Sequence, residues 1–264
     1  MKKQIQLTNG SNVMHYSNAP DTKFVLYLHG GGLVYGSKND LPSELKQIFL
    51  AKGYTILALD YLLAPNSTVE EIIAHLKESV QQIYLEIVGT NPLGICGRSA
   101  GSFLMLHLTN WLIKTTRRPA FLINFYGYSD LMFNAEKRKL IDQAIQFDQI
   151  KNIDQTSPVW DDPLFQRFPL YHYAVQQQKL ICFYGLKQAT ELAISPHDLQ
   201  TFPRTFSTAS TTDEEVPFIY SKKISEQIPE GYFQPVYYLP HDFLKLTHRP
   251  EVIDLLQELK KWLA

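Results

Sequence analysis

The sequence predicts an α/β fold with a doubly wound, mostly parallel sheet of eight strands. Short apolar runs rich in β-branched residues alternate with longer amphipathic segments, which is the pattern of strands joined by helical crossovers. From Lys23 onward the short runs are almost wholly apolar, as in FVLYLH and TILALD. Strands buried on both faces of a parallel sheet have this composition. The length of 264 residues suits one large domain, so we predict a single domain over residues 1–264.

The strands are predicted at the apolar runs. The first two form an antiparallel hairpin at the sheet edge, because Asn9-Gly10-Ser11 between them is a turn signal. In chain order the eight strands are Gln4–Leu7, Val13–Tyr16, Lys23–His29, Tyr54–Asp60, Leu93–Gly97, Ala120–Tyr126, Arg204–Ala209 and Gln234–Leu239.

Amphipathic segments between the strands predict helices. A cap signal at Asn39-Asp40 precedes a helix over Leu41–Lys52, which Gly53 ends. Ser67 or Thr68 caps a second helix, whose apolar stripe runs from Val69 to Tyr84. Three further helices are predicted at Ala100–Thr116, Pro217–Gln227 and Glu251–Leu263.

The stretch between Tyr126 and Arg204 interrupts this alternation. Its roughly 80 residues contain no convincing sheet strand apart from the short Leu180–Tyr184 run, and a structureless loop of that length is uncommon in a compact domain. We therefore predict a helical cap inserted between strands 6 and 7, at about residues 128–200. Its many aromatic residues indicate an apolar lid over a pocket, and part of this set is expected to pack the cap onto the sheet.

Composition excludes several classes of partner. The 25 basic and 26 acidic residues give a net charge of −1, which provides no electrostatic basis for binding nucleic acid or an anionic membrane. No apolar run approaches the ~18 residues of a membrane span, and no secretory signal is expected behind Lys2 and Lys3. Cys96 and Cys182 are expected to be buried thiols, so the predicted location is the reducing cytoplasm.

The spacing of histidine and cysteine gives no support for a metal site, and no cofactor is predicted. The expected partner is a small-molecule substrate. The sequence leaves the oligomeric state open, and a homodimer is compatible with it.

Glycine is concentrated in two short windows. Seven of the 13 glycines lie within positions 30–36 and 94–101, and glycine is favoured where the backbone takes a positive φ or approaches another group closely. In the second window, Gly97-Arg98-Ser99-Ala100-Gly101 follows the strand LGIC and precedes a helix. A serine on such a sharp turn needs small neighbours and lies at the positive end of the helix. Ser99 is therefore the candidate nucleophile, with a structural turn as the alternative.

The first window, His29-Gly30-Gly31-Gly32, lies at the carboxyl end of the strand FVLYL. Consecutive glycines at that position leave backbone N–H groups free to point at a ligand, which is what an oxyanion hole requires. A flexible turn is the alternative. His29 is predicted to order this loop by hydrogen bonding, because it has little freedom to reach Ser99.

The strand followed by HGGG, the strand followed by GRSAG and a helix, and an Asp and a His near the chain end resemble the α/β-hydrolase superfamily. The similarity is greatest to the hormone-sensitive-lipase-like esterases and the small carboxylesterases, and it covers about Lys23 to the C-terminus. The segment Asp60-Tyr61-Leu62-Leu63-Ala64-Pro65 is similar to the Asp-Tyr-Arg-Leu-Ala-Pro of that family. The chain departs from the family pattern at four positions, none of which removes a catalytic group: Leu62 for Arg, Asn66 for Glu, Arg98 for Asp and Ser102 for Gly.

The resemblance implies a triad in the chain order Ser, acid, His. Asp213 begins the segment Asp-x-x-Val-Pro after the strand RTFSTAS, and this segment is similar to the acid loop of many α/β-hydrolases. Its rivals Glu214 and Glu215 are interpreted as solvated charges at the start of the next helix.

The base implied by the resemblance is His241, because Leu-Pro-His-Asp-Phe follows the last strand and His-x-Phe is similar to the terminal histidine loop of the family. His248 is the competitor, interpreted as a surface or capping residue. Asp242 is expected to be exposed.

These roles imply a serine hydrolase that cleaves carboxylic esters of small to medium, including aromatic, acyl groups. His241 takes the Ser99 proton, Asp213 orients the imidazole, and Ser99 attacks the acyl carbonyl to form an acyl-enzyme. Water activated by His241 then releases the acid. The oxyanion is expected to be stabilised by the backbone N–H groups of Gly31, Gly32 and Ala100.

Two alternatives stay open. The same triad could cleave peptide bonds, because Asp-x-x-Val-Pro loops also resemble those of prolyl-oligopeptidase-like enzymes, although no propeller-length domain is expected in this chain. The fold could also serve as a catalytically silent binding protein. The presence of a Ser, an Asp and a His at the three triad positions argues against that reading.

Overall fold

The computed structural model describes all 264 residues and contains one eight-stranded sheet. In chain order the strands are β1 (Lys2–Gln6), β2 (Asn12–Tyr16), β3 (Phe24–Leu28), β4 (Thr55–Leu59), β5 (Leu93–Arg98), β6 (Leu122–Phe125), β7 (Thr205–Ser210) and β8 (Gly231–Val236). Across the sheet they lie in the order β1-β2-β4-β3-β5-β6-β7-β8. Strand β2 is antiparallel to β1 and β4, and every other neighbouring pair is parallel. The predicted fold class is confirmed.

Helices cover both faces of this sheet. They are α1 (Ser43–Ala51), α2 (Val69–Ile83), α3 (Ala100–Lys114), α4 (Phe168–Gln176), α5 (Leu180–Phe183), α6 (Pro196–Leu199), α7 (Ile219–Gln227) and α8 (Pro250–Trp262). Apolar residues of α1 and α8 form one hydrophobic cluster with the sheet, and those of α2, α3 and α7 form another. No helix combines the length and the apolar character that crossing a membrane would require.

Strand β3 shows why the sheet residues are so uniformly apolar. All five of its residues are fully buried. Phe24, Leu26 and Leu28 belong to the cluster that contains α2 and α3, whereas Val25 and Tyr27 belong to the cluster that contains α1 and α8. Successive side chains point to opposite faces of a strand, so burial of both faces requires an apolar residue at every position.

The ends of several elements differ from the prediction. Thr68 rather than Ser67 caps α2, and its hydroxyl accepts the N–H of Glu71 in a capping box. Helix α1 begins at Ser43, because the predicted cap residues lie in a separate 3₁₀ turn (Lys38–Asp40) capped by Ser37. Strand β8 begins three residues earlier than predicted, so Leu239 lies in the loop that follows it.

The segment between β6 and β7, residues 126–204, is here called the β6–β7 segment. It is less helical than predicted: besides α4, α5 and α6 it has short 3₁₀ turns, and the rest is turn and loop. The Leu180–Tyr184 run is helix α5 rather than a strand. Buried residues of the segment, including Leu170 and Tyr184, share one hydrophobic cluster with the sheet residue Leu28.

The two cysteines lie in different environments. Cys96 is buried in β5, and burial raises the pKa of its thiol well above the ordinary value. Cys182 is exposed, so the expectation that both thiols are buried is wrong for this residue. It lies on the single turn of α5, whose residue Leu180 alone is buried.

Candidate active site

Ser99 occupies the sharp turn between β5 and α3. Its φ of +50° and ψ of −117° lie outside the usual regions for a residue with a side chain, and such strain is held in place by the surrounding structure. The flanking glycines let three elements approach: a Cβ on Gly97 would lie 2.5 Å from the Cα of Ser102, and one on Gly101 would lie 2.2 Å from the carbonyl oxygen of Leu28. The glycines of the motif are therefore required by packing.

The structure brings the three predicted triad residues together. His241 Nε2 lies 2.9 Å from Ser99 Oγ, and His241 Nδ1 lies 2.6 Å from Asp213 Oδ2. A carboxylate accepts hydrogen bonds only, so Nδ1 carries the proton and Nε2 is free to accept from the Ser99 hydroxyl. The Asp213 side chain is fully buried and the His241 side chain is 11% exposed.

The loop after β7 explains why Asp213 rather than a neighbouring glutamate meets the histidine. Asp213 Oδ1 accepts the backbone N–H groups of Glu215 and Val216, at 2.9 Å each. These bonds turn the chain so that the second carboxylate oxygen faces His241. Glu214 is exposed, and the Glu215 carboxylate instead accepts the hydroxyl of Tyr171 at 2.7 Å. The competitor His248 is exposed as well.

The electrostatics around His241 favour its protonated form. Burial lowers the pKa of the imidazole, but the nearby carboxylates of Asp213, Glu215 and Asp242 outweigh that effect and raise the pKa to about 9. Tyr126 packs edge-on against the imidazole, with ring centroids 4.7 Å apart. The site therefore stabilises the imidazolium that forms when the histidine takes a proton.

Of the three residues predicted for an oxyanion hole, Gly31 and Ala100 border Ser99, whereas Gly32 does not line the cavity that contains it. Gly31 lines a small cavity together with Ser99 and His241, and neither Gly31 nor Gly32 uses its N–H in a backbone hydrogen bond. Ala100 is the first residue of α3, where N–H groups lack a partner within the helix. Gly32 faces Tyr171, since a Cβ there would lie 2.1 Å from that ring.

Gly30 was not predicted as a site residue, but it borders the nucleophile. It lines the same small cavity, and a Cβ at this position would lie 3.4 Å from the Cβ of Ser99. His29 stacks on Tyr61 at a centroid distance of 4.1 Å and bonds the Gly30 carbonyl through Nδ1 at 2.7 Å. This contact agrees with the predicted role of His29 in ordering the loop.

An ion-pair network next to the site was also not predicted from the sequence. Arg98 is buried, and its guanidinium pairs with the carboxylates of Asp242 and Asp40 and donates to the hydroxyls of Tyr126 and Tyr27. Asp242 is 37% exposed and thus only partly in solvent. Burial raises its pKa, but Arg98 and Lys245 outweigh burial and hold the pKa far below the usual range. The sequence contains one signal of this network, which is Arg98 itself. It is a charged residue in a turn that the fold buries, and a buried charge needs a partner.

The β6–β7 segment packs against the loop that follows β3, residues 29–36, here called the glycine loop. Buried Arg167 donates to the carbonyl oxygens of Val34 and Ala64 at 2.8 Å and to Asn66 Oδ1 at 2.6 Å. The Tyr184 hydroxyl donates to the Gly32 carbonyl at 2.9 Å. Asn66, one of the departures from the family pattern, is therefore used to bind Arg167.

Two connected cavities open at the triad. The smaller has a volume of about 50 Å³ and is lined by Ser99, Gly30, Gly31 and His241 among others. The larger, of about 700 Å³, is lined by apolar residues of the β6–β7 segment and by the loops that follow β7 and β8. No three His, Cys, Asp or Glu side chains are grouped so that they could hold a metal ion.

Comparisons with known proteins identify the fold family of the chain. A family model described as an alpha/beta hydrolase fold matches residues 25–176. A crystal structure of an alpha/beta hydrolase superfamily protein from Enterococcus faecalis is 52% identical, superposes with a TM-score of 0.97, and covers 100% of this chain and 98% of its own.

Two curated relatives match part of the chain. A kynurenine formamidase from Danio rerio is 29% identical over 120 residues, which cover 44% of this chain and 40% of the relative. An acetyl esterase from Salmonella schwarzengrund (strain CVM19633) is 29% identical over 132 residues, which cover 47% of this chain and 41% of the relative. The matched part thus spans only about two fifths of each curated relative.

Proposed function

The chain belongs to the alpha/beta hydrolase fold family, as its glycine and serine motifs predicted, and on this premise we propose that it is a serine hydrolase of carboxylic esters. The observation that carries the proposal is the chain of hydrogen bonds from Asp213 through His241 to Ser99, at 2.6 and 2.9 Å. This arrangement activates a hydroxyl that would otherwise be a weak nucleophile.

The reaction proceeds in two halves. Ser99 Oγ attacks the ester carbonyl while its proton moves to His241 Nε2, and Asp213 keeps the imidazole oriented. His241 then gives that proton to the departing alcohol oxygen, which leaves an acyl group on Ser99. A water molecule attacks the acyl-enzyme, again giving its proton to His241, and the acid is released as the proton returns to Ser99.

The negative charge that develops on the carbonyl oxygen needs hydrogen-bond donors. The N–H groups of Gly31 and Ala100 are the first candidates, because Gly31 lines the small cavity and Ala100 follows the nucleophile at the N-terminus of α3. The backbone N–H of Gly32 is also proposed as a donor, although the Cα of this residue faces Tyr171. Removal of one donor of this kind costs on the order of 3 kcal/mol in the barrier.

The size of the small cavity supports a small to medium acyl group. Its volume of about 50 Å³ has room for roughly four water molecules, since one water needs about 10–15 Å³. One curated relative is named for acetyl esters and the other for a formamide, and both acyl groups are small. An aromatic acyl group would have to enter the larger cavity, which rings of the β6–β7 segment line.

The test is hydrolysis of p-nitrophenyl acetate, butyrate and octanoate and of methyl ferulate by the native chain and by Ser99→Ala. We expect the native chain to turn over acetate and butyrate faster than octanoate or ferulate. We expect Ser99→Ala to lose about six orders of magnitude in kcat, because no other group replaces the nucleophile.

Exposed Ser43 supplies a matched control, since Ser43→Ala should retain native rates. A higher kcat/KM for ferulate than for acetate would contradict the small acyl group. A folded native chain without turnover, whose Ser99 is not labelled by a fluorophosphonate, would contradict the esterase and favour a silent binding protein.

A further inference from the structure

The residues shared by the two cavities define where a substrate must pass. Tyr35, Phe165, Glu215, His241, Asp242 and Lys245 line both cavities. Ser99 lines only the smaller cavity, so a substrate whose carbonyl reaches Ser99 extends past these residues into the larger one. The side chains of these shared residues are therefore within reach of the bound ester.

The sizes of the two cavities indicate which half of the ester occupies the larger one. This step rests on the proposed function, in which Ser99 takes a small acyl group and His241 returns the proton to the departing alcohol. His241 lines both cavities, and the smaller one, of about 50 Å³, has room for a small acyl group beside Ser99. The alcohol portion therefore extends past His241 into the larger cavity.

The arginine and the lysine that line the two cavities, Arg98 and Lys245, are already paired. Arg98 binds Asp242 and Asp40, and the Lys245 ammonium lies 2.6 Å from Asp242. These four groups carry two positive and two negative charges and compensate one another. Of the other carboxylates, Asp213 is bonded to His241, and Glu214, which also lines the larger cavity, is exposed to solvent.

Glu215 differs from these carboxylates because no basic group pairs with it. Its Oε1 accepts the Tyr171 hydroxyl at 2.7 Å, and no Lys, Arg or His nitrogen lies within salt-bridge distance of the carboxylate. Arg138 bonds the backbone oxygen of Glu215 rather than its side chain. The side chain is thus fixed by an uncharged partner at the junction of the two cavities.

A fixed carboxylate in a partly desolvated cavity favours a cation, since charges interact more strongly there than in water. Aromatic faces add to this preference, and the rings of Tyr35, Phe165 and Phe168 line the same cavity. Lys245 already lies over the Phe165 ring at 5.5 Å, so a cation is tolerated against this wall. We infer that Glu215 selects esters whose alcohol portion carries an ammonium group.

The test compares acetylcholine with 3,3-dimethylbutyl acetate, which has the same shape and a carbon in place of the charged nitrogen. The native chain should show a kcat/KM for acetylcholine roughly tenfold above that for the neutral ester. In Glu215→Gln the ratio of the two values should fall to about 1. Glutamine has the same size and still accepts the Tyr171 hydroxyl, so the change removes the charge alone.

Exposed Glu230, on the loop before β8, provides the matched control, because Glu230→Gln removes one carboxylate far from the cavities and should leave the ratio unchanged. A native ratio of 1 or less, or a high ratio that persists in Glu215→Gln, would overturn the inference. If p-nitrophenyl acetate is turned over in the same experiment, the proposed function stands in either case. Absence of turnover with every ester overturns the proposed function and the inference with it.

Discussion

The protonation of His241 links the electrostatics of the site to its pH dependence. Asp213, Glu215 and Asp242 outweigh the effect of burial and raise the pKa of this imidazole to about 9. His241 accepts the Ser99 proton only while Nε2 is unprotonated. The reactive fraction of the resting enzyme therefore increases as pH rises toward that pKa and falls on the acidic side.

Asp242→Asn tests this dependence. The variant loses a carboxylate that stabilises the imidazolium and leaves Arg98 with one fewer anionic partner, so the pKa of His241 should fall. We expect the acidic limb of kcat/KM for p-nitrophenyl acetate, corrected for spontaneous hydrolysis, to move to lower pH than in the native chain.

Exposed Asp254 on α8 supplies the control, since Asp254→Asn removes a remote carboxylate and should leave the limb in place. A limb that stays unchanged or moves to higher pH in Asp242→Asn would show that this carboxylate does not act on His241. Circular dichroism of each variant confirms that the compared proteins are folded.

The triad residues could be predicted from the sequence because each lies in a short segment with its own signal. Ser99 is flanked by glycines between a strand and a helix, and Asp213 and His241 follow the last two strands of the sheet. The pairing of Arg98 with Asp242 joins residues 144 positions apart, and no local pattern records such a contact. Gly30 was missed for a similar reason, since its approach to Ser99 depends on how β3 and β5 pack.

Contacts between elements explain how the glycine loop keeps its shape. The loop between β3 and α1 contributes the carbonyl of Val34, and the loop after β4 contributes Ala64 and Asn66. Arg167, just before α4, binds all three and donates also to the Asp154 carbonyl at 3.0 Å. One buried guanidinium thus joins the β6–β7 segment to the loops that border the nucleophile.

Arg167→Met should weaken both stability and activity. Methionine fills part of the space but leaves buried carbonyl oxygens without a donor, so we expect the free energy of unfolding to fall by about 3 kcal/mol. The value of kcat for p-nitrophenyl acetate should fall as well, because the glycine loop loses its outer support. Urea denaturation and initial rates, both at 25 °C, measure the two effects.

Arg118 offers a matched control, because it is exposed and makes a single hydrogen bond to the Phe202 carbonyl. Arg118→Met should change the free energy of unfolding by well under 1 kcal/mol. A stable Arg167→Met variant with native kcat would show that the hydrogen bonds of Arg167 do not position the glycine loop.

Elements with a strong period were predicted more accurately than those fixed by tertiary contacts. All eight strands and the five long helices outside the β6–β7 segment were found. The signal was clearest for β3 to β6, because burial on both sheet faces leaves a continuous apolar pattern. The short run at Leu180–Tyr184 is ambiguous by itself, since four or five apolar residues fit a strand or one helical turn. Its place over α2, where Tyr184 accepts the N–H of Val69, decides in favour of the turn.

At the scale of the whole molecule, one hydrophobic cluster contains residues of both the β6–β7 segment and the sheet. This packing is the reason to expect that the chain behaves as a single domain. Leu170 and Tyr184 of the β6–β7 segment pack in one cluster with Leu28 of the sheet and with α2 and α3. The segment cannot unfold without exposing apolar surface of the sheet. We propose that residues 1–264 therefore unfold as one cooperative unit.

The three tryptophans provide probes for this proposal. Trp111 lies in α3, Trp160 in the β6–β7 segment and Trp262 at the end of α8. Three single-tryptophan variants, made by replacing the other two residues with Phe, should show fluorescence midpoints in urea that coincide with one another and with circular dichroism of the same variant. Trp160 is the informative probe, because it packs against Gly10 of the β1–β2 turn and His75 of α2. A midpoint for Trp160 clearly below the other two would show that the segment opens while the sheet stays folded, and the segment would then be a separate lid over the two cavities.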